Sequence, residues 1–163
     1  MGSHHIQTDE GVIFNTPFAR NNNYKETNHS VGTIVLKRNN EDMFEVAGGN
    51  WKDYDINILN DPHRMDKTGS SMAAGKFFKE DGMHLAIGAP NANRLRGRVY
   101  VCKNCFSSNQ NAVNSESQVI ELLRMDEQVG EQFGSAIAAV NIWDDEDNLD
   151  LVIGAPMFSK QVS

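Results

Sequence analysis

The chain repeats a short sequence pattern at a fixed distance, and this repeat limits the folds that it can adopt. Phe-Gly-Ser at 133–135 is followed by an acidic stretch and then by Leu-Val-Ile-Gly-Ala-Pro at 151–156. Gly-Ser-Ser at 69–71 leads in the same way to Leu-Ala-Ile-Gly-Ala-Pro at 85–90. The first pair of glycines is 65 residues apart and the second pair 66, so the copies stay in register. A period of this length predicts an array of similar structural units.

Within one repeat, the local pattern predicts short strands separated by turns. Residues 85–87 are apolar and residues 98–101 alternate between polar and apolar side chains, as in a strand with one solvated face. The segment 118–125 fits either a strand or a short helix, and we predict a strand because Ser/Asn-rich and glycine-containing stretches flank it. Four short strands in about 65 residues are typical of one β-propeller blade. The predicted fold class is therefore all-β.

The glycines of the repeated motifs have structural interpretations. Gly69 and Gly134 are predicted to adopt positive φ or to lie where a side chain would collide with backbone. Each Gly-Ala-Pro is predicted to end an inner strand, because small residues allow close approach and proline has no N–H for the ladder.

The period also sets the predicted domain organisation. Gly32 precedes Gly97 by 65 residues, which identifies the N-terminal part as an earlier, degenerate copy. The start, Met1 to His5, lacks the apolar core of a signal peptide. The predicted segments are a tag or unstructured start (1–10), the end of a degenerate repeat with the first strand region of the next blade (11–67), a complete repeat (68–132) and a third that stops after its Gly-Ala-Pro (133–163).

Composition excludes some classes of function. The chain has 163 residues, a formal net charge of −7 and 39% hydrophobic content. This hydrophobic content is sufficient for an ordinary core. An acidic balance argues against a nucleic-acid partner, which is normally met by a basic surface. The sequence contains no run of about eighteen apolar residues, so no transmembrane segment is expected.

The two motifs, from Gly69 to Pro90 and from Phe133 to Pro156, resemble FG-GAP repeats. The resemblance points to the integrin α subunits, whose N-terminal head is a seven-bladed propeller of such repeats. The spacer 125–132 and the tail 156–158 also resemble integrin sequences, and the resemblance covers about residues 11–163. It implies a partial β-propeller containing two to three of seven expected blades.

Three departures accompany the resemblance. Thr68 stands where the repeat usually has Phe, and Asn-Thr-Pro at 15–17 stands in place of Gly-Ala-Pro. A closed propeller needs at least about four blades. The chain therefore resembles a fragment or a truncated paralogue, and it would expose strand edges unless it associates with further blades or another copy.

The function implied by the resemblance is cell adhesion rather than catalysis. The expected partners are an integrin β subunit and an extracellular matrix protein, with no nucleic acid, at the extracellular face of the plasma membrane in the parent protein. The serines Ser70, Ser71 and Ser135 occupy repeat positions and not a nucleophile elbow, so no catalytic residues are predicted. The alternatives are a non-integrin FG-GAP propeller, phospholipase-like or lectin-like, and a truncated product that binds nothing.

The acidic loop of the third repeat is a candidate calcium site. Calcium prefers six to eight oxygen ligands, and FG-GAP repeats that bind it use Asp-x-Asp-x-Asp-x-x-x-Asp before the Gly-Ala-Pro strand. Counting back from Gly154 places Ile142 at the first ligand position, where it cannot coordinate, and counting forward places Asn141 there. The predicted ligands are Asn141, Asp144, Glu146 and Asp150. The alternative is a solvated, charged hairpin tip.

The equivalent loop of the preceding repeat has little ligand character. Lys76, Phe78, Glu80 and His84 fill its ligand positions, so this loop is predicted to be metal-free. For His84 we predict a packing or hairpin role, because no His or Cys partner stands at ligand spacing.

Several other residues are candidate sites. Trp51 and Tyr54 are candidate partner contacts, with packing between blades as the equal alternative, and Asn28 begins an N-glycosylation sequon. Cys102 and Cys105 are interpreted as strand-end thiols or a small local disulfide, with redox and metal roles as alternatives.

Overall fold

The computed structural model describes residues 5–8, 11–16, 33–38, 44–47, 67–79, 82–103, 119–122, 124–143 and 148–160, and every structural statement below concerns these residues. They form antiparallel β-sheets with almost no helix, which confirms the predicted all-β class. The strands belong to three sheets that follow one another along the chain.

The first sheet is a meander of four strands. In chain order they are β1 (His5–Thr8), β2 (Gly11–Thr16), β3 (Thr33–Arg38) and β4 (Phe44–Ala47). The tag or unstructured start predicted for residues 1–10 therefore contains a strand. Ile6 pairs with Ile13, which is buried, while His5 and Gln7 point to solvent. This alternation explains why a short polar segment joins the sheet.

The second sheet has the same strand order. Its strands are β5 (Ser71–Gly75), β6 (His84–Ala89), β7 (Arg98–Cys102) and β8 (Val119–Glu121). Each strand pairs antiparallel with the next. The strand predicted within 118–125 is confirmed over Val119–Glu121. Strand β6 ends just before Pro90, as predicted from the missing N–H of proline.

The third sheet has two strands, β9 (Ala136–Val140) and β10 (Asp150–Gly154). They pair antiparallel, with Val152 opposite Ala138 and Gly154 opposite Ala136. Strand β5 contacts both β1 and β9, so the first strand of each sheet lies next to the first strand of the neighbouring sheet.

The core of the described region is centred on β6 and β7. Every residue of β6 is buried, and Leu85, Ile87, Val99 and Val101 are fully inaccessible to solvent. Burying one such aliphatic side chain contributes about 1.5–3 kcal/mol. Most of the residues whose burial is described and that are buried therefore belong to the second sheet, and both repeat motifs adjoin it.

The connection from β6 to β7 contains the single short helical segment that the structure describes, α1 (Ala92–Leu95). Asn93, Arg94 and Leu95 have φ values of 52°, 60° and 63°, so this segment is a left-handed turn. Among the described residues, no helix has the length and apolar character needed to cross a membrane.

Candidate functional site

The turns that precede β5 and β9, the first strands of the second and third repeats, have the same structure. The amide of Ser70 donates to the carbonyl of Lys67 at 3.0 Å, and the amide of Ser135 donates to that of Gln132 at 3.2 Å. Each serine hydroxyl donates to the same carbonyl at 2.7 Å. Lys67 and Gln132 have φ values of 53° and 57°. Two residues 65 positions apart thus share both hydrogen bonds and an uncommon backbone conformation.

The glycine of each turn joins it to the end of the Gly-Ala-Pro strand of its own repeat. Gly69 and Gly134 have φ values of 84° and 87°, which confirms the predicted positive φ. The amide of Gly69 donates to the carbonyl of Gly88 at 2.9 Å, and that of Gly134 to the carbonyl of Gly154 at 3.0 Å. The two repeated motifs are therefore structurally equivalent in the described part of the chain.

The turn of the third repeat also lies against the preceding repeat. The hydroxyl of Ser71 donates to the carbonyl of Gly134 at 2.6 Å in a buried position. A Cβ atom on Gly88 would overlap this carbonyl oxygen and the Ser71 hydroxyl. Gly88 is therefore small because the next repeat's backbone occupies the space that a side chain would need.

A second contact between these repeats involves the segment just before β7. The amides of Gln132 and Phe133 donate to the carbonyls of Leu95 and Arg96, both at 2.9 Å. Gly97, with φ of 85°, forms a parallel bridge with Phe133, whose backbone a Cβ atom would overlap. The carbonyls of Leu95, the last residue of the left-handed turn, and of Arg96 thus face the next repeat. We refer to this contact region, built from Ser71, Gly88, Gly97, Phe133 and Gly134, as the repeat junction.

An ion pair between a buried carboxylate and a partly exposed arginine lies beside the junction and was not predicted from sequence. The side chain of Glu131 is inaccessible to solvent, and its Oε2 lies 3.0 Å from Nη1 of Arg124. Neither carboxylate oxygen receives a well-aligned hydrogen bond, so the contact is one of charge rather than of hydrogen-bond geometry. The Arg124 guanidinium lies 5.2 Å from the ring centre of Phe133 and 4.8 Å from that of Phe158.

The tail after β10 is held against the spacer that precedes the third repeat. The side chain of Gln128 donates to the carbonyl of Ser159 at 2.8 Å and accepts from its amide at 3.2 Å. The amide of Met157 donates to the carbonyl of Glu131 at 3.3 Å. The two segments that resemble integrin sequences outside the motifs are therefore paired with each other.

Both hairpin loops are closed by the same hydrogen bond made by different side chains. In the third repeat, Oδ2 of Asp150 accepts from the amide of Ile142 at 3.0 Å. In the second repeat, Nδ1 of His84 accepts from the amide of Phe77 at 3.1 Å. His84 is buried, with Phe77 stacked on it and the edge of Phe78 against it, so its predicted packing and hairpin role is confirmed.

The predicted calcium ligands are only partly within the described residues. Asn141 directly follows β9 and Asp150 begins β10, so these two lie at opposite ends of the loop. Asp144 and Glu146 lie outside the described residues. No group of three or more His, Cys, Asp or Glu residues is arranged for a metal within the described ranges. One carboxylate oxygen of Asp150 faces the amide of Ile142, so the carboxylate sits at the mouth of the loop.

The two hairpin loops are neighbours in space. The amide of Leu149 donates to the carbonyl of Lys76 at 2.7 Å, and Cδ1 of Leu149 lies against Gly75. The residue just before β10 therefore contacts the end of β5 and the start of the loop that follows it.

Of the remaining predicted site residues, the structure describes Cys102. Cys102 is buried at the end of β7 and is disulfide-bonded, one of the states interpreted from sequence. Cys105, Trp51, Tyr54 and Asn28 lie outside the described residues. Their predicted roles stay predictions.

No protein-family model matches the chain, and no curated protein sequence matches it.

Proposed function

We propose that this chain is part of a β-propeller of FG-GAP blades and that it serves as an adhesion module resembling the head of an integrin α subunit. The carrying observation is the repeat junction, where the Phe-Gly turn of one repeat lies on the Gly-Ala-Pro strand end of the preceding one. A four-stranded antiparallel meander that contacts its neighbours through its first strand is also what a propeller blade requires.

The compartment proposed is the extracellular face of the plasma membrane. Disulfide-bonded Cys102 supports this assignment, because structural disulfides persist mainly in oxidising compartments. The proposed partners are an integrin β subunit and an extracellular matrix protein, and the module has no catalytic role of its own.

Calcium is proposed to bind the acidic loop through Asn141, Asp144, Glu146 and Asp150. The position of the Asp150 carboxylate at the mouth of the loop supports this proposal. Its Oδ2 accepts a hydrogen bond from the Ile142 amide, and carboxylate oxygens are ligands that calcium prefers. Bound calcium would hold the two ends of the hairpin together and stiffen this blade.

The partner assignment is tested by pull-down of the 163-residue chain with a soluble integrin β subunit in calcium-containing buffer. A full-length integrin α subunit is the positive control. The proposal expects retention of the chain by the β subunit. Retention of the control without retention of this chain would contradict the adhesion assignment.

The metal assignment has a separate test by thermal unfolding during a calcium titration. Ligand at one hundred times its dissociation constant stabilises the folded state by about 2.7 kcal/mol. We expect the midpoint to rise with calcium and the rise to disappear in Asp150→Ala. A midpoint that does not respond to calcium would contradict the metal assignment and leave the adhesion test unaffected.

A further inference from the structure

The left-handed turn between β6 and β7 carries side chains that do not suit its backbone. Arg94 and Leu95 have φ values of 60° and 63°, a region that glycine and asparagine tolerate and other residues enter at a cost. Of the three left-handed residues, only Asn93 is of a tolerant type. Burial does not recover the cost, because Arg94 is exposed and Leu95 is 43% exposed. Backbone strain of this kind is concentrated at functional sites.

The backbone of this turn is fixed by hydrogen bonds and packing. The amide of Gly97 donates to the carbonyl of Ala92 at 3.0 Å, and Ala92 is buried. The amide of Arg96 donates to the carbonyl of Asn93 at 3.2 Å. The carbonyls of Leu95 and Arg96 accept from the next repeat. The side chains of the turn therefore project from a backbone that is already ordered, which lowers the entropic cost of binding a partner.

Two arginines of the turn have no counter-charge. Residues 94–98 read Arg-Leu-Arg-Gly-Arg and hold three of the chain's 15 basic residues without an acidic one. Arg98 forms an ion pair with Glu121. Arg94 and Arg96 form no ion pair within the described part of the chain. In a chain with a formal net charge of −7, the turn is thus a local positive region that attracts carboxylates.

The turn shares its surface with the spacer that precedes the third repeat. The side-chain amide of Asn93 donates to Oε2 of Glu127 at 3.3 Å, and the backbone amide of Gln132 donates to the carbonyl of Leu95 at 2.9 Å. Val129 lies between these two spacer residues in the chain and is 65% exposed. Exposed apolar side chains of the turn and of the spacer therefore accompany the two arginines.

We propose that Arg94, Leu95, Arg96 and Val129 form a docking surface, the arginine-turn surface, for an acidic segment of a partner protein. The segment has an apolar residue between two carboxylates. Guanidinium groups bind carboxylates through paired, charge-assisted hydrogen bonds. The apolar residue of the partner would cover Leu95 and Val129, and arginine is enriched among the residues that dominate protein–protein binding energy.

A sulfated polysaccharide suits this surface less well, although it carries the same sign of charge. Its sulfates would find two unpaired arginines here, and the remainder of a chain with a formal charge of −7 would repel them. It would also leave Leu95 and Val129 uncovered. A short acidic peptide segment needs only the local charge and the apolar contact.

The acidic segment is assigned to the protein partner of the adhesion module, so its identity rests on the proposed function. The contact itself is tested with a synthetic peptide, without an integrin subunit and without calcium. Loss of the β-subunit interaction and loss of peptide binding are therefore separate results.

The test is an NMR titration of the 163-residue chain carrying labelled leucine methyl groups. The probe is an end-blocked peptide with Glu-Leu-Glu between glycines, and its Gln-Leu-Gln counterpart is the control. We expect saturable shifts of the Leu95 methyl resonances with the acidic peptide, weakened by added salt, and none with the control. Unchanged Leu95 resonances, or equal shifts with both peptides, would overturn the proposal without the use of any variant.

Arg94→Asn separates binding from folding. Asparagine tolerates the φ of 60° better than arginine, so we expect the melting midpoint to stay or rise while peptide affinity falls about tenfold through loss of a charge-assisted contact. Arg96→Gln is expected to weaken binding by a similar factor. Lys79→Ala is the matched control, because Lys79 is exposed in the loop before β6, at the opposite end of that strand from the turn.

This control is expected to bind the acidic peptide as wild type does. Equal weakening in Lys79→Ala would indicate general charge attraction and would overturn the proposal, as would wild-type affinity in Arg94→Asn. A heparin-derived oligosaccharide is titrated in parallel. Leu95 shifts with the oligosaccharide but not with the acidic peptide would identify the partner as a sulfated polysaccharide and would also overturn the proposal.

Discussion

The hairpins β5–β6 and β9–β10 have equivalent backbones and opposite exposure. Both follow a turn with the same hydrogen bonds and positive φ values, and both are closed by a side chain that accepts from an amide early in the loop. Yet every residue of β6 is buried, whereas no residue of β9 or β10 is fully buried. The backbone geometry thus comes from residues inside each hairpin, and burial comes from the sheets on either side.

The turns of the two repeats also differ in one side chain. The turn of the third repeat has Phe133, whose ring lies under the Arg124 guanidinium. The turn of the second repeat has Thr68 at the equivalent position, with no ring to stack on. The turn of the third repeat therefore takes part in a charged and aromatic cluster, which Thr68 cannot form in the second repeat because it has no ring.

The largest effect is expected from Arg124→Ala. This change leaves the buried Glu131 carboxylate without its counter-charge and removes the cation stacked on Phe133, and breaking a buried ion pair costs about 3–5 kcal/mol. Since Arg124 is partly exposed, we expect the lower end of that range in urea unfolding. Adding Glu131→Gln to the Arg124→Ala variant should recover much of the loss. Equal stability of the single and double variants would contradict this explanation.

The next largest effect is expected from a matched pair of glycine substitutions. In Gly88→Ala the new methyl group overlaps the Gly134 carbonyl, and such overpacking costs about 1–3 kcal/mol or more. In Gly154→Ala the nearest atom is the Cβ of Ala136 at 3.5 Å, an ordinary contact. We expect denaturant unfolding to show a large decrease in the free energy of unfolding for Gly88→Ala and almost none for Gly154→Ala. Equal losses would mean that the turn does not lie on Gly88.

A smaller effect is expected from Ser71→Ala, which removes the buried hydrogen bond between repeats. A hydrogen bond of this kind contributes about 1 kcal/mol. Ala136 stands at the position equivalent to Ser71, so Ala136→Ser is the complementary change and should leave stability unaltered because no next turn faces it in the described structure. Thermal melts of both variants test this prediction. A higher melting midpoint for Ala136→Ser would contradict the proposed difference between the two positions.

The smallest effect is expected in the acidic hairpin without calcium. Asp150→Asn keeps an oxygen that can accept from the Ile142 amide, while Asp150→Ala loses it, a difference of about 0.5–1 kcal/mol at this partly exposed position. Melting in the presence of a chelator separates this structural role from calcium binding. Identical midpoints for the two variants would show that the hydrogen bond contributes nothing.

The sequence predicts what is local and what is repeated. The 65-residue spacing locates both turns, the positive φ of Gly69 and Gly134, and the end of β6 before Pro90. The packing role of His84 followed from the lack of ligand partners at suitable spacing. These features depend on residues within one repeat, so they can be predicted from one amino-acid sequence.

Contacts between repeats were not predictable in the same way. Ser71 looks like one more small strand residue, and only the position of Gly134 gives its hydroxyl a partner. Glu131 looks like a surface carboxylate in a polar spacer, but its side chain is buried, and the amide of Met157 in the tail donates to its carbonyl. The 65-residue spacing from Gly32 to Gly97 was the available signal for the Gly97 contact, although it does not indicate which backbone approaches.

The proposed architecture requires that the turn of one repeat contact the strand end of the preceding repeat, and solution NMR measures this contact directly. We expect nuclear Overhauser effects between the α-protons of Gly88 and Gly134, and between Gly97 and Phe133, because these backbones are in contact at the junction. They should appear together with the cross-strand effects of β5–β6 and β9–β10. Intact hairpins without the effects between Gly88 and Gly134 would contradict the repeat junction and the propeller-blade architecture that we propose.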